Sequence, residues 1–291
     1  EMTAVLVETG LDQGAIWHFG EVAREQRALA EGKAWADLSH RSVICIKGED
    51  RLSWLHSLTT QYLENLQPGI WKEALILDPQ GHIEFQFFLV DDGERTFLHL
   101  DSAYSSALLT YLEKMKFMLR VEIKDVSAEF SCIRVAGVPD EMGGPFKILK
   151  KDGIKQSETE VGIWALEAER VAAGRARIGF ETDHKSIPNE LGFLNRAVHM
   201  NKGCYRGQET VAKVFNLGQP PRKLVLLHLD GSMAEIPNHA DEIQLSGKPV
   251  GFIGTAVRHH ELGPIALAVI KRNTPEDATL NIKNITATID I

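Results

Sequence analysis

A chain of 291 residues carrying 32 basic and 40 acidic side chains, for a formal net charge of -8, exceeds the usual size of one domain. It lacks the block of positive charge that general nucleic-acid binding requires. Direct DNA binding is therefore not expected. Cys45, Cys132 and Cys204 are odd in number and widely spaced, which fits neither a disulfide framework nor a cysteine-rich metal cage. No basic region leads into an apolar run near the N-terminus and no apolar stretch approaches the length of a membrane span, so a cytoplasmic protein without membrane contact is expected.

The region from Glu21 to Glu31 predicts a short helix, and Ser42 to Lys47 alternates as a strand. Asp50 stands where it can cap a helix with Leu52, Leu55 and Leu58 on one face. The segments Glu73 to Asp78 and Ile83 to Val90 flank the turn Pro79-Gln80-Gly81 and predict a hairpin. A strand over Thr96 to Leu100, a helix capped by Ser102 and running through Met118, and a strand at Val121 to Ile123 follow. Antiparallel strands broken by isolated helices indicate α+β, with no glycine-rich nucleotide fingerprint to support a parallel sheet. From Ser131 to Leu166, short strands between Gly/Pro/Asp turns predict a second α+β unit. Gly218-Gln219-Pro220-Pro221 then marks a boundary. Strand candidates at Leu224 to Leu229, Glu242 to Leu245, Gly251 to Val257, Ile265 to Ile270 and Thr279 to Ile282 predict a small β-barrel or sandwich. The expected domains are residues 2–128, 129–220 and 221–291.

The most informative segment is Lys202-Gly203-Cys204-Tyr205-Arg206-Gly207-Gln208-Glu209. If a helix opens at Gln208, Cys204 lies just ahead of its positive end, with Lys202 and Arg206 favouring the thiolate. Gly203 and Gly207 permit positive φ or close approach to a ligand, while Gln208 and Glu209 can cap the helix or orient the loop. Cys45 and Cys132, each inside an apolar strand, read as core fillers. His259-His260-Glu261 gathers three potential ligands, yet consecutive residues on a turn indicate a solvated loop, so no metal site is assigned.

This octapeptide resembles the signature of the folate-binding YgfZ family, relatives of the glycine-cleavage T-protein (aminomethyltransferase), with Arg206 at the variable place. The similarity extends through Ala36 to His40, Ile46 to Asp50, Leu77 to Ile83 and, near the C-terminus, Gly251 to Thr255 and Gly263 to Ala268. It implies a T-protein-like architecture: two α+β units related to the ferredoxin-like fold around a central cavity, the second carrying the signature, plus a C-terminal β-barrel. It further implies tetrahydrofolate or a one-carbon derivative as cofactor, with Tyr205 and the flanking motif residues beside it. Partners in iron–sulfur cluster assembly or repair, and an association with tRNA modification, are also implied.

Arg177-Ile178-Gly179 and Ile187 to Gly192 fall where the related proteins line their cavity. Glu190 can accept paired hydrogen bonds from a pterin edge or cap a turn. Arg177 can bind a glutamate tail or pair on the surface. Relatives that transfer aminomethyl groups show Gly-x-x-x-Asp-Asp at the hairpin, where this chain reads Gly81-His82-Ile83-Glu84-Phe85-Gln86, so glycine cleavage is not expected. The leading expectation is a tetrahydrofolate-binding accessory protein with a redox-active or cluster-contacting Cys204. A folate-dependent one-carbon transferase is the alternative. A Cys-His hydrolase using one of His40, His56, His199, His228 or His259 is the third reading.

Overall fold

The computed structural model describes residues 4–232 and 234–290; residues 1–3, 233 and 291 lie outside the described residues, and of these 2, 3, 233 and 291 belong to the outer two expected domains. Its first large element is a five-stranded antiparallel sheet in the order Trp71–Leu77, Ile83–Asp91, Arg95–Leu100, Ser42–Lys47, Glu122–Asp125. Side chains alternate across it, and both faces are covered. One face buries Ile44, Ile46, Ile76, Phe85, Phe87, Leu89, Leu98 and Leu100 under two helices, Arg51–Leu58 and Ser105–Met115. The other carries Glu73, Gln86, Phe88 and His99, polar or aromatic groups where a simple core would place aliphatic ones.

A four-stranded sheet lies beyond that second face, ordered Phe146–Lys150, Phe130–Arg134, Ala34–Asp37, Thr159–Glu160. It takes Ala34–Asp37 from the first expected domain, so the chain contributes a strand to this sheet before it starts the five-stranded one at Ser42. Helices Val22–Ala30 and Ile163–Ala172 pack beside it through Leu29, Ala34, Ala36, Val161 and Ala165. A fifth α-helix among the described residues, Gln208–Leu217, leads to the barrel. Six strands close that barrel in the order Arg222–Leu229, Gly263–Lys271, Lys248–His259, Glu242–Leu245, Thr279–Ile282, Ile285–Ile289.

The class is α+β with a closed C-terminal barrel, in agreement with the expectation; several local assignments differ. The helix expected to reach Met118 stops at Met115, and Phe117 turns to a left-handed φ of 47°. Ser102 opens a short 3-10 turn and its hydroxyl donates to the His40 carbonyl instead of capping. Asp50 precedes its helix, but its carboxylate accepts from Arg120 rather than from the helix amides. The helix Ile163–Ala172 begins inside the span, Ser131 to Leu166, expected to hold short strands, and Ile285–Ile289 is a further barrel strand.

Candidate functional site

Where the second face of the five-stranded sheet meets the four-stranded one, a cavity of roughly 700 Å³, part of it open to solvent, remains between them. Glu73, Gln86, Phe88 and His99 come from the sheet, Phe146 from the opposing edge strand, and Arg41, Asp101, Arg175, Arg177 and Arg196 from adjoining segments. Register explains the grouping: Phe88 pairs with Glu73 on one side and His99 on the other, so all three project to one face.

His99 is the least satisfied group on this wall. Its side chain is 1 % exposed, yet neither Nδ1 nor Nε2 has a hydrogen-bond partner. Burial, reinforced by the charge of Arg41, pushes its pKa down to about 3, which leaves a neutral ring at physiological pH with one donor and one acceptor unused. The Nε of Arg41 is likewise buried without a hydrogen-bond partner, although it lies 3.5 Å from Asp101 Oδ1 in an ion pair. By contrast Glu73 is fully engaged, accepting from Gln86 Nε2 at 2.7 Å and from Arg196 Nε at 2.6 Å.

Arg177 lines the cavity, but its guanidinium is consumed. It donates to both oxygens of Asp12 at 2.7 Å, to Asp101 Oδ2 at 3.0 Å and to Glu167 Oε1 at 3.2 Å. Arg170 continues the network to Glu167, Glu181 and, in the barrel, Thr255. Burial alone would raise the pKa of Asp12; hydrogen bonds from His40 and Arg177, with the charge of Arg41, hold it well below the usual carboxylate range. The structure thus gives Arg177 a third role, neither free tail binder nor surface pair: it is a buried tie between three segments.

The other sequence-predicted residues do not line this cavity. Glu190 is buried, and Arg222 takes both of its oxygens, at 2.9 and 2.8 Å, while its Oε2 also accepts from the Ile187 amide. Gln208 begins its helix with Gly207 as the preceding residue, and no side chain caps that helix; Glu209 is exposed. Gly203 is open, with nothing within 4 Å of an added Cβ. Gly207, at φ +81°, would drive a Cβ to 2.6 Å from the Asp78 carbonyl, so its absence of side chain lets the motif dock on the expected hairpin. Arg206 pairs with Glu84 at 3.1 Å and lies 5.5 Å from the Tyr111 ring centroid, directing its charge there.

Cys204 is exposed, whereas Cys45 and Cys132 are buried with their thiols pushed up by burial. Lys202, two residues before it, is buried, donating Nζ to the carbonyls of His56 in the last turn of Arg51–Leu58 and of Thr59 just after it, and lying 5.1 Å from the buried Tyr205 ring. It therefore fastens the motif to a helix C-terminus, where a cation is favoured. Burial pushes its pKa down to about 8, below the ordinary value of an unfolded lysine. The folded state consequently sheds this proton first, so Lys202 adds stability as pH rises through about 8 and the gain levels off near the ordinary lysine value. Urea titrations from pH 7 to 10 should show the wild type gaining stability relative to Lys202→Met; parallel curves would remove this account.

Sequence reasoning missed His99, Arg41, Glu73 and Arg196. A signal existed for the first: in Thr96-Phe97-Leu98-His99-Leu100, an imidazole occupies a strand otherwise suited to complete burial. Neither histidine closest in the chain or space to the motif forms a pair with Cys204: His56 donates no side-chain contact to it, its ring meeting Tyr62 at 5.0 Å, and the exposed His199 lies 5.3 Å from the same Tyr62.

Residues 2–142 match the GCVT N-terminal domain. The chain is 25% identical over 302 residues to a protein named iron-sulfur cluster assembly factor IBA57 homolog, mitochondrial, from Mycosarcoma maydis, covering 85% of this chain and 74% of that one. It is 28% identical over 141 residues to the tRNA-modifying protein YgfZ of Buchnera aphidicola, covering 45% of this chain and 42% of the relative. In three dimensions it superposes on the glycine cleavage system aminomethyltransferase T from Bartonella henselae with a TM-score of 0.83 at 14% identity, over 100% of this chain and 94% of that one, a likeness of fold. The N-terminal part of the chain thus matches the GCVT N-terminal domain, and the chain is similar both to relatives of the YgfZ and IBA57 kind and to proteins named aminomethyltransferase.

Proposed function

We propose that this protein is a tetrahydrofolate-binding accessory factor in iron–sulfur cluster assembly or repair, in which the central cavity holds the folate and Cys204 presents a thiol to a client or assembly protein. The observation that carries the folate half is His99, a buried neutral imidazole with both nitrogens unpartnered on a cavity wall. Unpaired buried polar atoms are unfavourable unless a ligand completes them, and a pterin edge alternates donors and acceptors as an imidazole does. Phe88 and Phe146 supply flat apolar walls, and Arg41, Arg175 and Arg196 border them, each also paired with a carboxylate of the protein (Asp101, Glu169 and Glu73). When bound, the folate supplies one-carbon or reducing chemistry; the protein's residues orient it and exclude water around His99.

Cys204 supports the second half. A single exposed thiol can ligate iron transiently or exchange with another thiol, but cannot hold a cluster alone, so the cluster is cargo shared with a partner. The names of the IBA57 and YgfZ relatives support this setting, and three free thiols suit a reducing compartment such as the cytoplasm.

The transferase alternative is disfavoured by the hairpin. Phe85 is buried in the helix-covered core, and Glu84 pairs with Arg206, so neither lines the cavity; Gln86 does. Titration of the purified protein with tetrahydrofolate, monitored by calorimetry, tests the pocket. His99→Leu is expected to weaken binding by 10- to 100-fold, on the order of 1.4–3 kcal/mol. Glu190→Ala, off the cavity lining, is expected to leave affinity unchanged. Equal affinity for wild type and His99→Leu would refute the assignment.

A further inference from the structure

Among the described residues the longest run of exposed large apolar side chains is the turn Phe117-Met118-Leu119, open to solvent by 81%, 98% and 41%. It is not a loose end. Met115 before it and Val121 after it both pack on the core under the five-stranded sheet, so residues 116–120 are carried outward between two fixed points. The Leu119 amide closes the turn on the Lys116 carbonyl at 3.0 Å, and Arg120 clamps its far side, donating its amide to Asp50 Oδ2 at 2.8 Å and Nη2 to Oδ1 at 2.8 Å. Gly48 lets that clamp close, since an added Cβ there would lie 1.9 Å from the Arg120 carbonyl oxygen. Phe117 itself is held at a left-handed φ of 47°, a conformation unfavourable for a bulky residue. Three apolar side chains held outward by a braced and strained turn mark a contact surface.

Its place in the fold ties it to the Cys204 loop. Asp50, which the clamp grips, precedes the helix Arg51–Leu58, and the other end of that helix receives Lys202 at the His56 and Thr59 carbonyls. These 8 residues span about 12 Å, so the turn and the signature loop are fastened about one short helix apart. The neighbouring helix Ser105–Met115 links them again: Trp54 Nε1 donates to the Met115 carbonyl at 3.1 Å, and Arg206 lies 5.5 Å from the Tyr111 ring centroid. A standard interface covers about 800 Å² per partner, a patch about 30 Å across, wide enough to take in both the turn and the exposed thiol. Other occupants fit less well. Arg120 is already paired with Glu49 and Asp50, and Lys116 with Glu113, which leaves too few cations for the basic collar that holds an apolar turn on an anionic leaflet. The same turn from a second copy would bury far less area than a stable dimer needs.

We propose that Phe117-Met118-Leu119 is the docking anchor for the protein that meets Cys204. The partner is a cluster- or thiol-bearing protein with an apolar pocket beside the group it offers, at a spacing on the order of the helix that separates turn and loop. Phe117 and Met118 fill that pocket, the aromatic supplying area and the thioether adapting to its shape. The inference rests on the reading of Cys204 as the thiol presented to a client or assembly protein, and it adds the surface that chooses which protein is presented with it.

The test compares iron–sulfur enzyme activity in cells carrying only the wild type, only Cys204→Ala, or only the double variant Phe117→Asn and Met118→Ser, in which asparagine tolerates the left-handed φ. The double variant is expected to lower that activity roughly fivefold or more, with its thermal midpoint, tetrahydrofolate affinity and maleimide labelling rate at Cys204 unchanged. A photo-crosslinking amino acid at position 118 and a maleimide crosslinker on Cys204 are expected to capture one and the same protein, identified by mass spectrometry as cluster- or thiol-bearing. Loss of activity in Cys204→Ala with full activity in the double variant would overturn this proposal alone; full activity in Cys204→Ala would end both it and the reading beneath it. Different proteins captured from the two positions, an adduct of two copies of this chain at position 118, or sedimentation with anionic vesicles that the double variant abolishes would each overturn the proposal.

Discussion

Replacing Arg177 with alanine lowers the unfolding free energy by about 3–5 kcal/mol at neutral pH, the range expected when one partner of a buried ion pair is removed and its counter-charges stay behind. Asp12, Asp101 and Glu167 all lose donors at once. At roughly 2–4 °C per kcal/mol, the thermal midpoint falls on the order of 10 °C. The pH response separates this from ordinary loss of packing. In the wild type, burial tends to raise these carboxylates, but the surrounding guanidiniums hold them low. Their contribution is therefore intact above the ordinary carboxylate range and is lost as pH falls below it through the depressed folded values. In the variant burial dominates, so mild acidification from pH 7 to 5 lets the stranded carboxylates protonate and narrows the gap to wild type. A loss below about 1 kcal/mol, or a gap that does not change with pH, would contradict the network's role.

Replacing Cys204 with alanine should do the opposite to the molecule: leave it folded and disable it. Replacing an exposed side chain such as this one changes stability by less than about 0.5 kcal/mol. Tetrahydrofolate affinity should likewise be unchanged, because none of residues 202–209 lines the central cavity. Activity of iron–sulfur enzymes in cells carrying only the variant should nevertheless fall several-fold. Maleimide labelling of the native wild type should modify Cys204 within minutes and reach Cys45 and Cys132, at 5% and 0% exposure, only after denaturation. Normal enzyme maturation with Cys204→Ala would remove the thiol from the proposed function, while leaving the folate pocket untouched.

Local pattern made part of this legible. The hairpin around Pro79-Gln80-Gly81 and the first five barrel strands were visible because alternation and turn residues act over a few positions. The helix Ile163–Ala172 was not, since Ile163, Trp164 and Leu166 suggest a strand, whereas the helix is held by Glu167 and Arg170 meeting a network assembled from distant segments. The strand Ile285–Ile289 carries a readable signal, Ile285, Ala287 and Ile289 alternating with two threonines, although it is not among the five expected barrel strands. At the site, the Cys204 loop could be found because its residues are contiguous. Most of the cavity wall could not: the resemblance reached Arg177, but Glu73, Gln86, His99 and Arg196 become its neighbours only through strand register and the packing of two sheets. Glu190 shows the converse, since a carboxylate chemically suited to a pterin is already committed to Arg222.

The barrel closes when Ile285–Ile289, the last of its strands to be synthesised, pairs with Arg222–Leu229, the first. A nascent chain that has delivered five strands still exposes two unpaired rims able to recruit a neighbour. During translation the molecule thus passes through a stage in which it is sticky at one end while the cavity between its two sheets, lined by no barrel residue, can already take shape, and a holding chaperone at that stage would bear directly on yield.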